Sequence, residues 1–194
     1  MSLPQRISVN ELQAQLEQSI KQEIAVSLKK DDGVDIAQLE PTQNLKLTEY
    51  YKLRYPTYQL APHIIELCDT LENLKPSEAV IINMPPRHSK SDTVSAYIEY
   101  KLAYTQAQVI YASFTSSLSN KRSRQVRNEI RSGKAFRQVS NNTLTSDASA
   151  VQFWELSNGG HFISSGVGGS ITGMGGNLLI LDDPIKGRIE ANSP

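Results

Sequence analysis

With 194 residues, 39% hydrophobic and 21% charged, the chain has the size and composition of one sizeable α/β domain with an appendage. A single cysteine, Cys68, excludes an intrachain disulfide framework and a zinc site built on several thiolates. No apolar run is long enough to span a bilayer, and Met1–Asn10 lacks the basic-then-apolar layout of a secretory signal, so an intracellular protein is expected.

The first element in chain order is a helix. Ser8 and Glu11 form a capping box, and Leu12, Leu16, Ile20, Ile24 and Leu28 recur every four residues until Asp31-Asp32-Gly33 stops the pattern. This arm and a polar linker occupy residues 1–48, and mixed signs on the polar face favour a docking arm over a membrane helix. From Glu49 the tyrosines 50, 51, 55 and 58 crowd together. Pro62 then opens a helix carrying Ile64, Ile65, Leu67, Cys68 and Leu71. Ala79–Met84 is a short β-branched run that reads as a buried strand, followed by a helix from about Ser91 to Thr105. Val109–Ala112 reads as a second strand and residues 117–132 as a basic helix. Val151–Leu156 and His161–Ser165 form a hairpin about Asn158-Gly159-Gly160. Leu178–Leu181 is the last strand, ending in Asp182-Asp183-Pro184. Alternating strands and helices predict an α/β fold with a mostly parallel sheet covered on both faces.

The segment Met84-Pro85-Pro86-Arg87-His88-Ser89-Lys90-Ser91 follows the first expected strand and opens a helix. Its closing Lys-Ser pair is that of a Walker A phosphate loop. The backbone over Pro86–Ser91, with N–H groups from Arg87 onward, would cradle phosphates at a helix N-terminus. Lys90 would reach the β- and γ-phosphates of ATP, and the Ser91 hydroxyl would hold Mg²⁺. Both glycines of the usual pattern are absent, with Met84 and Ser89 in their places; glycine is favoured there because it accepts unusual φ. About ninety residues further on, Leu178–Leu181 followed by Asp182 has the Walker B form. Asp182 would serve Mg²⁺ through its waters and Asp183 would activate the attacking water, with Glu190 as the alternative base. The competing readings are a plain strand-to-helix loop and a polar turn after a core strand.

Four spaced motifs in order make the pattern specific: Pro85-Pro86-Arg87-His88-Ser89-Lys90-Ser91, then Tyr111–Phe114 leading into Ser119–Arg127, then Gly169–Gly175, then Leu179–Lys186. Over roughly residues 50–190 the chain resembles the ATPase domain of tailed-phage large terminases. The resemblance implies a P-loop NTPase fold over 49–194, and MgATP hydrolysis that drives double-stranded DNA into a procapsid. It also implies a homo-oligomeric ring, a small terminase subunit and a portal protein as partners, and a bacterial host cytoplasm. Gln59, after Tyr58, resembles the family's adenine-contacting glutamine. Two departures stand out. The arginine many terminases carry near Ser170–Gly175 is missing, so Arg122, Arg124, Arg127, Lys186 or Arg188 would have to act instead. The coupling motif and the nuclease domain expected after Asp183 are not in this chain, so a truncated or split gene is expected. The alternative function is therefore a catalytically idle remnant acting at most as an assembly piece; a helicase-type translocase is the third.

Zero net charge argues against a nucleic-acid partner, but the average hides an uneven distribution. Residues 121–137 hold seven basic residues against the one acid Glu129, and Arg124, Arg127 and Arg131 share a helical face. Such a face suits DNA-backbone contact, a neighbouring subunit or plain solvation. His63, His88 and His161 are too scattered for a metal set. Tyr97, Tyr100 and Tyr104, at helical spacing, are expected to pack against the sheet.

Overall fold

The computed structural model describes residues 45–169, 173 and 175–185. The expected arm helix and its linker up to residue 44, Ser170–Thr172, Met174, Lys186, Arg188 and Glu190 lie outside the described residues. Five α-helices are described: α1 (Leu47–Arg54), α2 (Pro62–Glu72), α3 (Lys90–Tyr104), α4 (Ser116–Ser132) and α5 (Lys134–Val139). The strands are β1 (Gln108–Ser113), β2 (Leu144–Ser149), β3 (Phe153–Leu156), β4 (His161–Gly166) and β5 (Leu178–Asp182). No helix among the described residues is long and apolar enough to cross a membrane.

The strands form one sheet in the order β2-β3-β4-β1-β5. β1 runs parallel to both β4 and β5, with Val109 opposite Phe162 on one side and Leu178 on the other. The hairpin pairs β3 antiparallel to β4, and β2 is antiparallel to β3. Gly159 turns this hairpin at φ 84°, a conformation open to glycine at no steric cost. The sheet is therefore mixed rather than mostly parallel, because a tight turn can only reverse the chain.

Ala79–Met84 is not a strand. It is paired with no strand among the described residues, and β5 is an edge strand of the described sheet. The segment still alternates: Ile82 and Met84 pack inward while Ile81 is 95% exposed. Its apolar run is one-sided rather than buried. The expectation of two covered faces also fails at this end. Leu178 and Ile180 pack into the core, but Leu179 and Leu181, on the opposite face of β5, are 61% and 59% exposed.

Two apolar clusters meet on α3. One gathers Leu47, Tyr50, Tyr51, Ile64, Leu67, Cys68 and Leu71 from α1 and α2 with Ala96 and Tyr97. The other joins Ile98 and Leu102 to Val109, Tyr111, Val126, Trp154 and Phe162. Tyr97, Tyr100 and Tyr104 pack in the first cluster, among the α1 and α2 side chains, with Leu178 of β5 at its edge. Cys68 is a core residue as expected, and burial pushes its thiol up to about 12.

A charged bridge crosses the helical layer. Arg54 at the end of α1 places Nε 3.0 Å from Glu99 Oε2 of α3 and Nη1 3.2 Å from Glu129 Oε2 of α4. The Tyr50 hydroxyl donates to the same Glu99 oxygen at 3.0 Å. Glu99 Oε1 is buried with no hydrogen-bond partner. Glycine is needed at 133 for a steric reason: a Cβ there would lie 1.9 Å from the Glu129 carboxyl carbon.

Candidate functional site

The helix opened by the expected phosphate loop begins at Lys90, directly after Ser89. Ser89 is left-handed, with φ 58° and ψ 17°, and Arg87 two residues earlier has φ 65°. The chain therefore makes the turn that glycine usually makes, at a cost of about 1–2 kcal/mol for each L-residue held there. Neighbours stabilise it. The Thr93 hydroxyl and backbone N–H both donate to Ser89 O, at 3.0 and 2.9 Å. The buried Tyr51 phenol lies beside the Ser89 and Thr93 side chains. His88 Nδ1 lies 2.9 Å from Pro86 O, and its ring meets that of His63 at 5.6 Å. Pro86, Arg87 and His88 are exposed; Ser89, Lys90 and Ser91 are half-buried.

A β-branched side chain is a genuine outlier at positive φ. Ser89→Val is therefore expected to lower stability by roughly 1–2 kcal/mol, and Ser89→Gly to leave it unchanged or raise it. Urea denaturation checks the pair. Equal stability of the two variants would show that the loop relaxes into another conformation.

β5 carries its terminal carboxylates to this loop. Lys90 Nζ lies 3.9 Å from Asp182 Oδ1 and 3.7 Å from Asp183 Oδ1. These are ion-pair separations beyond hydrogen-bond length, so the ammonium is held loosely and can exchange partners. Asp182 is turned inward and half-buried, whereas the Asp183 side chain is 80% exposed. Asp183 also has positive φ, 45°, and its carbonyl accepts from Phe114 N at 3.2 Å. The other Asp182 oxygen, Oδ2, accepts from the Tyr111 hydroxyl at 2.5 Å. Burial first, and then the Asp182 carboxylate beside it, raise the Tyr111 phenol well above its ordinary range.

No group of three or more His, Cys, Asp or Glu among the described residues could hold a metal by itself. Mg²⁺ does not require one. It commonly takes one or two carboxylates, substrate phosphates and several waters. The place between Asp182 and Asp183 already draws a cation, the Lys90 ammonium. A hydroxyl at Ser91 and a carboxylate at Asp182 are the hard oxygen donors that Mg²⁺ prefers, so the donor set fits.

Along the flank of α3 lies a cleft of about 490 Å³, lined among others by Arg54, Tyr55, Tyr58, Asp92, Arg122 and Glu129. Tyr55 stacks on Tyr58 at 5.1 Å, with the Arg54 guanidinium 4.9 Å from the Tyr55 ring centroid. Gln59 is exposed in the turn after Tyr58 and does not line the cleft. Of the α4 arginines, Arg122 points inward: its Nη1 donates to Ser95 Oγ at 3.0 Å, and it borders the Tyr111 hydroxyl. Arg124 and Arg131 are exposed. Desolvation and the neighbouring charges of Arg131 and Arg124 lower the Arg127 pKa, so the three arginines do share a face.

The sequence showed Tyr111 within a motif and Tyr51 within a tyrosine cluster, but gave neither a partner and gave no sign of the approach of His63 to His88. A signal for Tyr111 was present: a tyrosine inside a buried strand needs a partner for its hydroxyl. Searches against family models, curated proteins and solved structures returned no match for this chain.

Proposed function

We propose that the chain is a P-loop ATPase domain that binds and hydrolyses MgATP as the motor part of a large terminase, driving double-stranded DNA packaging. The observation that supports this best is the meeting of Lys90 with Asp182 and Asp183 at 3.9 and 3.7 Å, from motifs far apart in the chain. In this reading the N–H groups opening α3 receive the phosphates of ATP. Lys90 leaves the carboxylates for the β- and γ-phosphate oxygens. Ser91 and, through its waters, Asp182 would hold Mg²⁺, which would neutralise phosphate charge. Asp183, open to solvent, accepts the proton of the attacking water. The water oxygen bonds to the γ-phosphorus, the bond from that phosphorus to the β,γ-bridging oxygen breaks, and ADP departs.

Arg122 is the nearest described candidate for the missing family arginine. The exposed Arg124 and Arg131 with Arg127 offer a face for DNA phosphates, whose contact is independent of sequence. A small terminase subunit, a portal and further copies in a ring belong to the same reading, as does a bacterial cytoplasm. Phosphate release from ATP, followed with and without Mg²⁺, tests the function; Mg²⁺-dependent release above background is expected. The second reading, an idle remnant that binds nucleotide without turnover, is favoured by the non-glycine residues at both left-handed loop positions. Nucleotide binding with no release would select it.

A further inference from the structure

Asp182 is held by a residue outside the two nucleotide motifs. Tyr111 lies on β1, opposite Ile180 of β5, and points along the core face toward the end of the sheet where Asp182 sits. Its ring is buried, 1% exposed, and has little freedom to move. It stacks on Phe162 at 6.0 Å and 21°, and Phe162 stacks on Trp154 at 5.0 Å and 9°. Trp154 is anchored in turn by its indole N–H, which donates to Ser123 Oγ at 2.9 Å. This row of rings presents one hydroxyl at a fixed point, 2.5 Å from Asp182 Oδ2. Arg122 is a neighbouring charge of that hydroxyl and is itself tied to Ser95 of α3.

A carboxylate at a strand end can rotate. With Oδ2 engaged by Tyr111, the remaining oxygen, Oδ1, faces Lys90. Oriented hydrogen bonds to a metal-ligating carboxylate set its direction and so its affinity for the ion. We propose that Tyr111 is a positioning residue for Mg²⁺: by holding Oδ2 of Asp182 it fixes Oδ1 on the side that faces Lys90, from which the carboxylate would serve the ion. This rests on the MgATP reading of the site.

The test is Tyr111→Phe, which keeps the stacked ring and removes only the hydroxyl. Equilibrium binding of a fluorescent ATP analogue is measured in EDTA and across a Mg²⁺ titration. Tyr100→Phe serves as control, because that hydroxyl is removed from Glu72 and not from Asp182. The Mg²⁺ concentration giving half of the magnesium-dependent binding should rise about tenfold in Tyr111→Phe, the range seen for lost outer-shell partners of metal ligands. Metal-free nucleotide affinity should stay within about twofold, and Tyr100→Phe should change neither value. A purely structural role would weaken binding with and without metal alike, together with a fall in Tm, and that result overturns the proposal. Unchanged Mg²⁺ half-saturation in Tyr111→Phe, with the original chain binding normally, overturns the positioning role alone. Absence of binding by the original chain overturns the MgATP reading and this proposal together.

Discussion

Arg54→Met is expected to destabilise the fold by about 3–5 kcal/mol, because it leaves the buried Glu99 and Glu129 carboxyl groups facing each other with no cation between them. Glu99 is fully buried and the Glu129 side chain is 8% exposed, while Arg54 reaches both. If both carboxyls ionise, one guanidinium leaves the cluster one negative charge in excess, so the cluster favours retaining a proton. Burial pushes Glu99 up from 4.5 to about 8, against the pull of Arg54 and with the help of the Glu129 charge. The folded chain therefore keeps a proton that the unfolded chain has released. Stability must fall as pH rises from about 4.5 to about 8, and level off above. The steepest slope one group can give is about 1.4 kcal/mol per pH unit.

Removing Arg54 takes away the charge that lowers the Glu99 pKa, so the deficit of Arg54→Met should stay level up to about pH 8 and widen above it. Urea denaturation at pH 5, 7 and 8.5 measures it. Glu99→Gln, which cannot ionise, should flatten the profile and narrow the Arg54→Met deficit when the two are combined. A deficit below about 1 kcal/mol that does not change with pH would show that the bridge behaves as an exposed ion pair.

Asp183→Asn is expected to lower the rate of phosphate release by about 10²–10⁴-fold, the usual contribution of a positioned base. The substitution isolates the chemistry. Asp183 has φ 45°, and asparagine tolerates this left-handed region well, so the backbone turn is retained. Its carbonyl bond to Phe114 N is also unaffected by the change. Nucleotide affinity should move little, since Lys90 also faces Asp182 and the lost charge is 80% exposed. Release and affinity measured on the same samples separate the two effects. Unaltered release would transfer the base role to another group, Glu190 being the alternative.

The helices and strands that carry their own period were legible in the sequence. The basic helix begins at Ser116, one residue from its expected start, and β5 runs from Leu178 to Asp182 as its apolar run suggested. The conjunction of Lys90 with Asp182 was legible because a Lys-Ser pair opening a helix and an acid closing an apolar strand are each recognisable patterns. Ala79–Met84 misled because an apolar, β-branched run records burial tendency but not whether a partner strand is present. The α1 helix was obscured by its tyrosines, which favour strands in isolation and here fill a helical cluster. Tyr111 and Asp182 meet only once β1 and β5 are in register, a pairing that no local pattern encodes. Arg54 and Glu129 look like ordinary surface charges in sequence. Glu99, set among Tyr97, Ile98 and Leu102 on a buried helix, is the one member whose surroundings call for a partner, and it was not singled out in the sequence.

The most direct test of the nucleotide site is equilibrium binding of a fluorescent ATP analogue with Mg²⁺ to the chain and to Lys90→Ala. Lys90 is half-exposed and its ion pairs are long, so the substitution should leave Tm nearly unchanged. The expected result is saturable binding by the original chain and at least a tenfold loss in the variant, the equivalent of about 1.4 kcal/mol. Equal binding by both proteins, or binding by neither, would contradict a phosphate site built on Lys90, Ser91 and Asp182.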